Sequence, residues 1–227
     1  MVTIKDVAQG MPEKEEYYYR MAEQNKVDGI ICVTYQDVEP YVSENIPLIS
    51  LDRHFHKKVS CISSDNYHGG ELAAQKMIST GSRHLLYMRN GSEISGETLK
   101  RGKGFKSYCD AHGVSCETLN LGDDFDLIRG KTSVEEVLRN FIISARKTGK
   151  MRYDGIYTST DLLAKALLEQ MQFLGVEVPE EVQLVGHDGM QWMNSGKYLV
   201  STIVQPVPDM ARKAVELLLK KIKRGRD

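Results

Sequence analysis

Short runs of β-forming residues recur along the chain, and several are apolar at nearly every position. They lie at 29–33 (GIICV), 47–51, 61–64, 84–88 (HLLYM), 116–121, 155–158, 182–186 (VQLVG) and 200–204. A strand with one wet face alternates apolar and polar residues. A strand apolar at successive positions is buried on both faces, which is the condition of a parallel sheet covered by helices. Helical periodicity fills the gaps, at 13–25, 67–80, 99–112, 132–147, 161–174 and 207–223. Strand alternating with helix predicts βαβ units joined by right-handed crossovers. With 227 residues, 41% of them hydrophobic, the chain can close one large α/β domain or two smaller ones. The polar, glycine-bearing stretch 90–96 is the natural boundary between two.

Charge and cysteine usage narrow the function. Thirty basic residues balance 31 acidic ones, a net charge of −1. A DNA-binding face needs clustered cations. The one basic cluster, Lys220-Lys221-Ile222-Lys223-Arg224, reads as a helix C-terminus, where cations are favoured. Cys32, Cys61, Cys109 and Cys116 form no C-x-x-C pair, and Cys32 and Cys61 sit in apolar runs as small core residues. The expectation is a reduced, cytosolic chain, without a signal region or a run long enough to span a bilayer. His54-Phe55-His56 lacks a companion cysteine or carboxylate cluster, so no metal is expected. The glycines of "HGG" and "RGKGF" do not make a phosphate loop and read as packing glycines. Tyr17-Tyr18-Tyr19 is assigned to one face of an amphipathic helix. His187 beside Asp188 suggests a dyad, but no nucleophile motif accompanies it, and a polar pocket wall is the simpler reading. No enzyme and no cofactor are expected.

Six segments, in order, resemble the LacI/GalR family of transcriptional regulators. They are "KVDGIICV" at 26–33, "IPLISLDR" at 46–53, "SSDNYHGGELAAQKMISTGSRHLLYM" at 63–88 and "RGKGF" at 101–105. "YDGIYTSTDLLAKALLEQMQFLGVEVPEEVQLVGHDG" at 153–189 and "VSTIVQPVPDMARKAVELLL" at 200–219 complete the series. The resemblance implies a periplasmic-binding-protein-like (type I) α/β core of two parallel-sheet subdomains. It assigns 10–89 and 191–227 to the first and 90–190 to the second. "VTIKDVAQ" at 2–9 resembles the first turns of the family's helix-turn-helix, with Thr3, Ile4, Lys5 and Asp6 as its remnant. The rest of that motif, the hinge and the first βαβ unit of the core find no match. Nor does the family's final strand after Arg226. The first subdomain is therefore expected to be incomplete, with 29–33 left as a sheet edge.

The function implied is an effector-binding core whose DNA binding is lost. It would bind a sugar or a purine-like molecule in the cleft between subdomains and form a homodimer, without membrane association. Operator DNA is a partner of the intact family and is not expected here. A solute-binding protein of a sugar transporter and a non-functional deletion remnant are the alternatives. The resemblance places Asp52, Arg101, Thr160 and Asp188 at the effector. Asp52, Thr160 and Asp188 stand at carboxyl ends of strands, where open α/β sheets bind ligands. A guanidinium fork beside a carboxylate suits adjacent hydroxyls. Asp161 is expected to cap the helix that follows it, with Ser159 or Thr160 sharing the task.

Overall fold

The computed structural model describes residues 12–24, 27–33, 39–42, 45–55, 59–91, 96–122, 125, 133–147, 149–191 and 198–224. Thr3, Ile4, Lys5, Asp6 and His56 lie outside them. Two compact units form, one from 1–64, 95–97 and 206–227, the other from 65–94 and 98–205.

The smaller unit holds α1 (Pro12–Gln24), β1 (Ile30–Val33), a 3-10 turn (Glu39–Tyr41), β2 (Leu48–Leu51), β3 (Ser60–Ile62) and α6 (Val207–Arg224). Its strands pair in parallel in the order β1-β2-β3, with Cys32 beside Ser50 and Ser50 beside Cys61. The expectation that 29–33 is an edge holds among the described residues. Tyr19, Val42 and Leu48 form a small buried cluster against which Ile30, Cys32, Phe55 and Val59 pack. Of the three consecutive tyrosines only Tyr19 is buried, and Tyr17 is largely exposed. Successive helical residues point about 100° apart, so the three cannot share one face. Cys32 and Cys61 are only partly buried.

The larger unit runs α2 (Asn66–Ser79), β4 (His84–Arg89), α3 (Gly96–Ala111), β5 (Ser115–Asn120), α4 (Val134–Ala145), the short antiparallel pair β6 (Arg146–Lys147) and β7 (Lys150–Met151), β8 (Gly155–Thr158), α5 (Asp161–Phe173), β9 (Gln183–Asp188) and β10 (Ser201–Val204). Five strands pair in parallel in the order β10-β9-β8-β4-β5. Both faces are buried, as the apolar runs require. Leu86, Met88, Ile156 and Leu184 pack with Leu138, Ile142, Leu163, Leu167 and Met171 on one side. Their strand neighbours Leu85, Tyr87, Tyr157 and Val185 pack with Ala73, Ala74, Met77, Phe105 and Cys109 on the other.

The units divide at 64/65 and 205/206, whereas the sequence boundaries fall at 89/90 and 190/191. Strand pairing accounts for the difference. β4 lies between β5 and β8, and β10 adds to β9, so hydrogen bonds tie both strands to the larger sheet.

A fully buried aliphatic side chain contributes about 1.5–3 kcal/mol, and most such residues belong to the larger unit. In a sample diluted to monomer, hydrogen exchange should be slowest at Ile156, Tyr157, Leu184 and Val185 and much faster at 30–51. Equal protection of both stretches would contradict this distribution of stability.

Candidate functional site

The carboxyl end of the five-stranded sheet collects charged and polar groups from four elements. Thr158, Ser159 and Thr160 end β8, His187 and Asp188 end β9, α3 supplies Arg101 and α2 supplies Asn66. What brings α2 and α3 together is glycine. A Cβ on Gly70 would stand 2.0 Å from the Arg101 carbonyl oxygen, and one on Gly104 would stand 1.9 Å from the Tyr67 carbonyl oxygen. The two helices touch backbone to backbone, which no larger residue permits. The glycines of "HGG" and "RGKGF" thus do pack, as expected, and their packing sets the position of Arg101.

Arg101 is buried. Its Nε donates to Asn66 Oδ1 at 2.7 Å and its Nη1 donates to the Ser159 carbonyl oxygen. Nη1 also lies 3.2 Å from Asp188 Oδ1; the Arg101 side chain is 5% exposed and that of Asp188 29%. Gln205 Nε2 donates to the same Asp188 oxygen at 2.8 Å. Burying a guanidinium is costly unless it is paired and hydrogen-bonded, and these three partners meet that demand. The Ser159 hydroxyl, buried beside them, has no hydrogen-bond partner among the described residues.

Asp188 carries φ of 114° and Asp52 φ of 54°; they are the two non-glycine residues with positive φ among the described residues. Such backbone concentrates at functional sites, where surrounding contacts hold it. Both were expected at the effector from sequence. Asp52, in the smaller unit, follows β2, takes the Ser64 N–H at 3.4 Å and donates its own N–H to the Ile62 carbonyl.

Thr160 takes the capping task it was expected to share, and Asp161, expected to cap, does not. Thr160 is the N-cap of α5, its hydroxyl accepting the Leu163 N–H at 3.2 Å. Asp161 is the first helical residue and is buried. Its carboxylate accepts the Thr202 hydroxyl and the Met190 N–H, each at 2.6 Å, which ties β10 and the turn after β9 to α5. Burial raises the Asp161 pKa against these bonds, which lower it.

His187 is buried rather than a pocket wall, and its Nδ1 lies 2.6 Å from the Tyr157 hydroxyl. Burial first, and then the Arg101 charge, push its pKa down to about 2. Burial also raises that of Tyr157, so a protonated phenol meets a neutral imidazole across this bond. His187 is therefore no proton shuttle for Asp188 at neutral pH. Asn66, Gln205 and the Tyr157–His187 bond were not anticipated from sequence. Each depends on partners far apart in the chain, and Gln205 offers only its place directly after β10 as a signal. Among the described residues no group of three or more His, Cys, Asp or Glu could hold a metal ion, and no helix is long and apolar enough to cross a membrane.

Because the fold keeps His187 neutral, its contribution to stability is complete above its ordinary pKa near 6.5. It is lost as pH falls from there toward the depressed value. Asp161, raised, acts in the opposite sense nearer its own titration. Between pH 6 and 4.5, wild type should lose up to about 1.4 kcal/mol per pH unit more than His187→Gln in denaturant unfolding. Parallel pH profiles would contradict the burial of a neutral histidine.

The family model for the periplasmic binding protein-like domain matches residues 74–227. The sucrose operon repressor of Streptococcus mutans is 29% identical over 216 residues, 95% of this chain and 63% of its own length. The ribose operon repressor of Bacillus subtilis is 30% identical over 93% of this chain and 62% of its own. The chain thus spans less than two thirds of these relatives. Among solved structures, a periplasmic binding protein/LacI transcriptional regulator from Alkaliphilus metalliredigens, in complex with D-xylulofuranose, superposes with a TM-score of 0.69 at 26% identity. That match covers 93% of this chain and 76% of the other.

Proposed function

We propose, because this chain belongs to the family of periplasmic binding protein-like domains in the form that LacI-family regulators carry, that it binds a small polyhydroxylated effector at the carboxyl end of its five-stranded sheet. The observation that carries the reading is the Arg101–Asp188 pair. A guanidinium locked by Asn66 and the Ser159 carbonyl holds a carboxylate that keeps 29% of its surface exposed. Asp188 accepts hydrogen bonds from adjacent hydroxyls, and the guanidinium donates to ring or hydroxyl oxygens. Both groups are already fixed in place, so binding forfeits little rotamer freedom. Thr160, its lone pair given to the helix cap, retains a hydroxyl proton to donate. Asp52, at the end of β2, is a separate candidate, and Asp52→Asn tests it in the same titration. A sugar agrees with the names of the repressors to which the chain is similar and with the sugar held by the structural neighbour.

The chain is further proposed to carry the effector half of a regulator's task without holding operator DNA. Its net charge is −1, and α1 opens with Glu13 and Glu15 where a phosphate-contacting helix would carry cations.

Calorimetry with sucrose, D-ribose and D-xylulose tests the site. One of these sugars should bind saturably. Asp188→Asn and Arg101→Lys should each weaken it about 10- to 100-fold, the loss of a charge-assisted hydrogen bond worth roughly 1.5–3 kcal/mol. Circular dichroism would confirm that the variants fold. Saturable binding left intact in both variants would place the site elsewhere, and no binding of any of the three would remove these sugars as effectors.

A further inference from the structure

Two of the four cysteines meet in the larger unit, and a helix end brings them together. α3 closes with Gly113 at φ of 66°. The Gly113 N–H donates to the Asp110 carbonyl at 3.3 Å and the Val114 N–H to the Cys109 carbonyl at 3.0 Å. This pair of bonds is the glycine stop that folds a chain back over its last helical turn, apolar residue against apolar residue. Val114 and Cys109 accordingly share one buried cluster with Leu85, Tyr87 and Phe105. β5 begins at Ser115. Alternation along a strand returns Cys116 to the face that carries Val114. Its neighbour on β4 is Leu85 of the same cluster. There the Cys109 and Cys116 thiols share a hydrogen bond.

The two thiols are not equivalent. Cys109 is fully buried, whereas Cys116 keeps part of its surface open. The hydrogen bond from Cys109 lowers the Cys116 pKa; burial opposes it, and the Lys106 charge lowers it again, against the Asp110 and Glu117 carboxylates. The same bond, and then burial, raise the pKa of Cys109, which keeps its proton. A partly exposed thiol with its pKa lowered by a donor and a cation is the reactive form of cysteine. The other two cysteines lack this arrangement. Cys32 and Cys61 flank Ser50 on either side of β2. Two interstrand spacings separate them, about 9.5 Å, beyond the reach of a disulfide. Burial pushes the Cys32 thiol up to about 11.

We propose that Cys116 is a site of oxidation by peroxide and that Cys109 resolves it into a reversible disulfide. The Cys116 thiolate attacks one oxygen of hydrogen peroxide. An S–O bond forms, the O–O bond breaks, and hydroxide leaves and takes up a proton as water. Sulfur gives up two electrons and the peroxide accepts them, leaving a sulfenic acid. The Cys109 sulfur then attacks the Cys116 sulfur. An S–S bond forms, the S–O bond breaks, and the departing hydroxide takes the Cys109 proton as a second water. Two thiols and one peroxide thus give one disulfide and two waters. A dithiol restores both thiols through a mixed disulfide. Side chains that already converge close such a bond without moving the backbone.

Peptide mapping tests the proposal. The reduced 227-residue protein is treated with a small excess of hydrogen peroxide at neutral pH. Remaining thiols are blocked with N-ethylmaleimide, and the unreduced tryptic digest is read by mass spectrometry. Both cysteines fall on the peptide 107–129. That peptide should lack two hydrogens and carry no maleimide, while Cys32 and Cys61 are alkylated. Two of the four thiols should be lost, and dithiothreitol should restore them. In Cys109→Ser the sulfenic acid should persist on Cys116 and be captured by dimedone. In Cys116→Ser the peptide should stay unoxidised at the same dose. The wild-type peptide decides the matter even if a variant fails to fold. A wild-type peptide that keeps both thiols, whether or not Cys32 or Cys61 reacts, would overturn the proposal. So would oxidation that adds oxygen to Cys116 without joining it to Cys109.

Discussion

A buried guanidinium organises the larger unit. Arg101 is withdrawn from water and survives there because Asn66, the Ser159 carbonyl and Asp188 all meet it. Removing any one partner from such a group is expected to cost several kcal/mol. The arrangement therefore couples α2, α3, β8 and β9 at one end of the sheet. It rests in turn on the glycine contact of α2 with α3, because a side chain at Gly70 or Gly104 would push Arg101 away from its partners. The same charge reaches the neighbouring titrations. It helps keep His187 neutral, and with Arg89 it opposes the rise that burial imposes on Tyr87.

Much of this was legible in the sequence, for identifiable reasons. Runs such as "HLLYM" and "VQLVG" announce burial on both faces, and the two cores on either side of the sheet meet that expectation. Arg101 and Asp188 were reached through the family resemblance and through the rule that ligands sit beyond strand ends. Their direct contact was not legible, because it depends on a helix crossing set by backbone clearance at two glycines. Thr160 caps α5, as the sequence allowed, but Asp161 does not share the task, since two neighbouring residues of similar capping strength differ only in their long-range partners. Asp161 is drawn inward by Thr202, a residue 41 positions away. The unit boundaries were misplaced for a related reason. A polar, glycine-bearing stretch marks flexibility of composition, while membership of a sheet is decided by pairing.

The two units solve the same architectural problem unequally. In the larger one every central strand has two neighbours and helices on both faces. In the smaller one, among the described residues, β1 ends the sheet and Ile31 and Val33 are exposed.

The central claim is that Arg101 and Asp188 form the effector site, and the guanidinium itself can report on it. In a protein labelled with nitrogen-15 at arginine, the Arg101 Nε–H bonded to Asn66 should exchange slowly with solvent and give a resolved signal. Titration with sucrose, D-ribose and D-xylulose should move that signal saturably with the sugar that binds, and Asp188→Asn should abolish the movement. Saturable binding of a sugar that leaves the Arg101 signal unmoved would contradict the account.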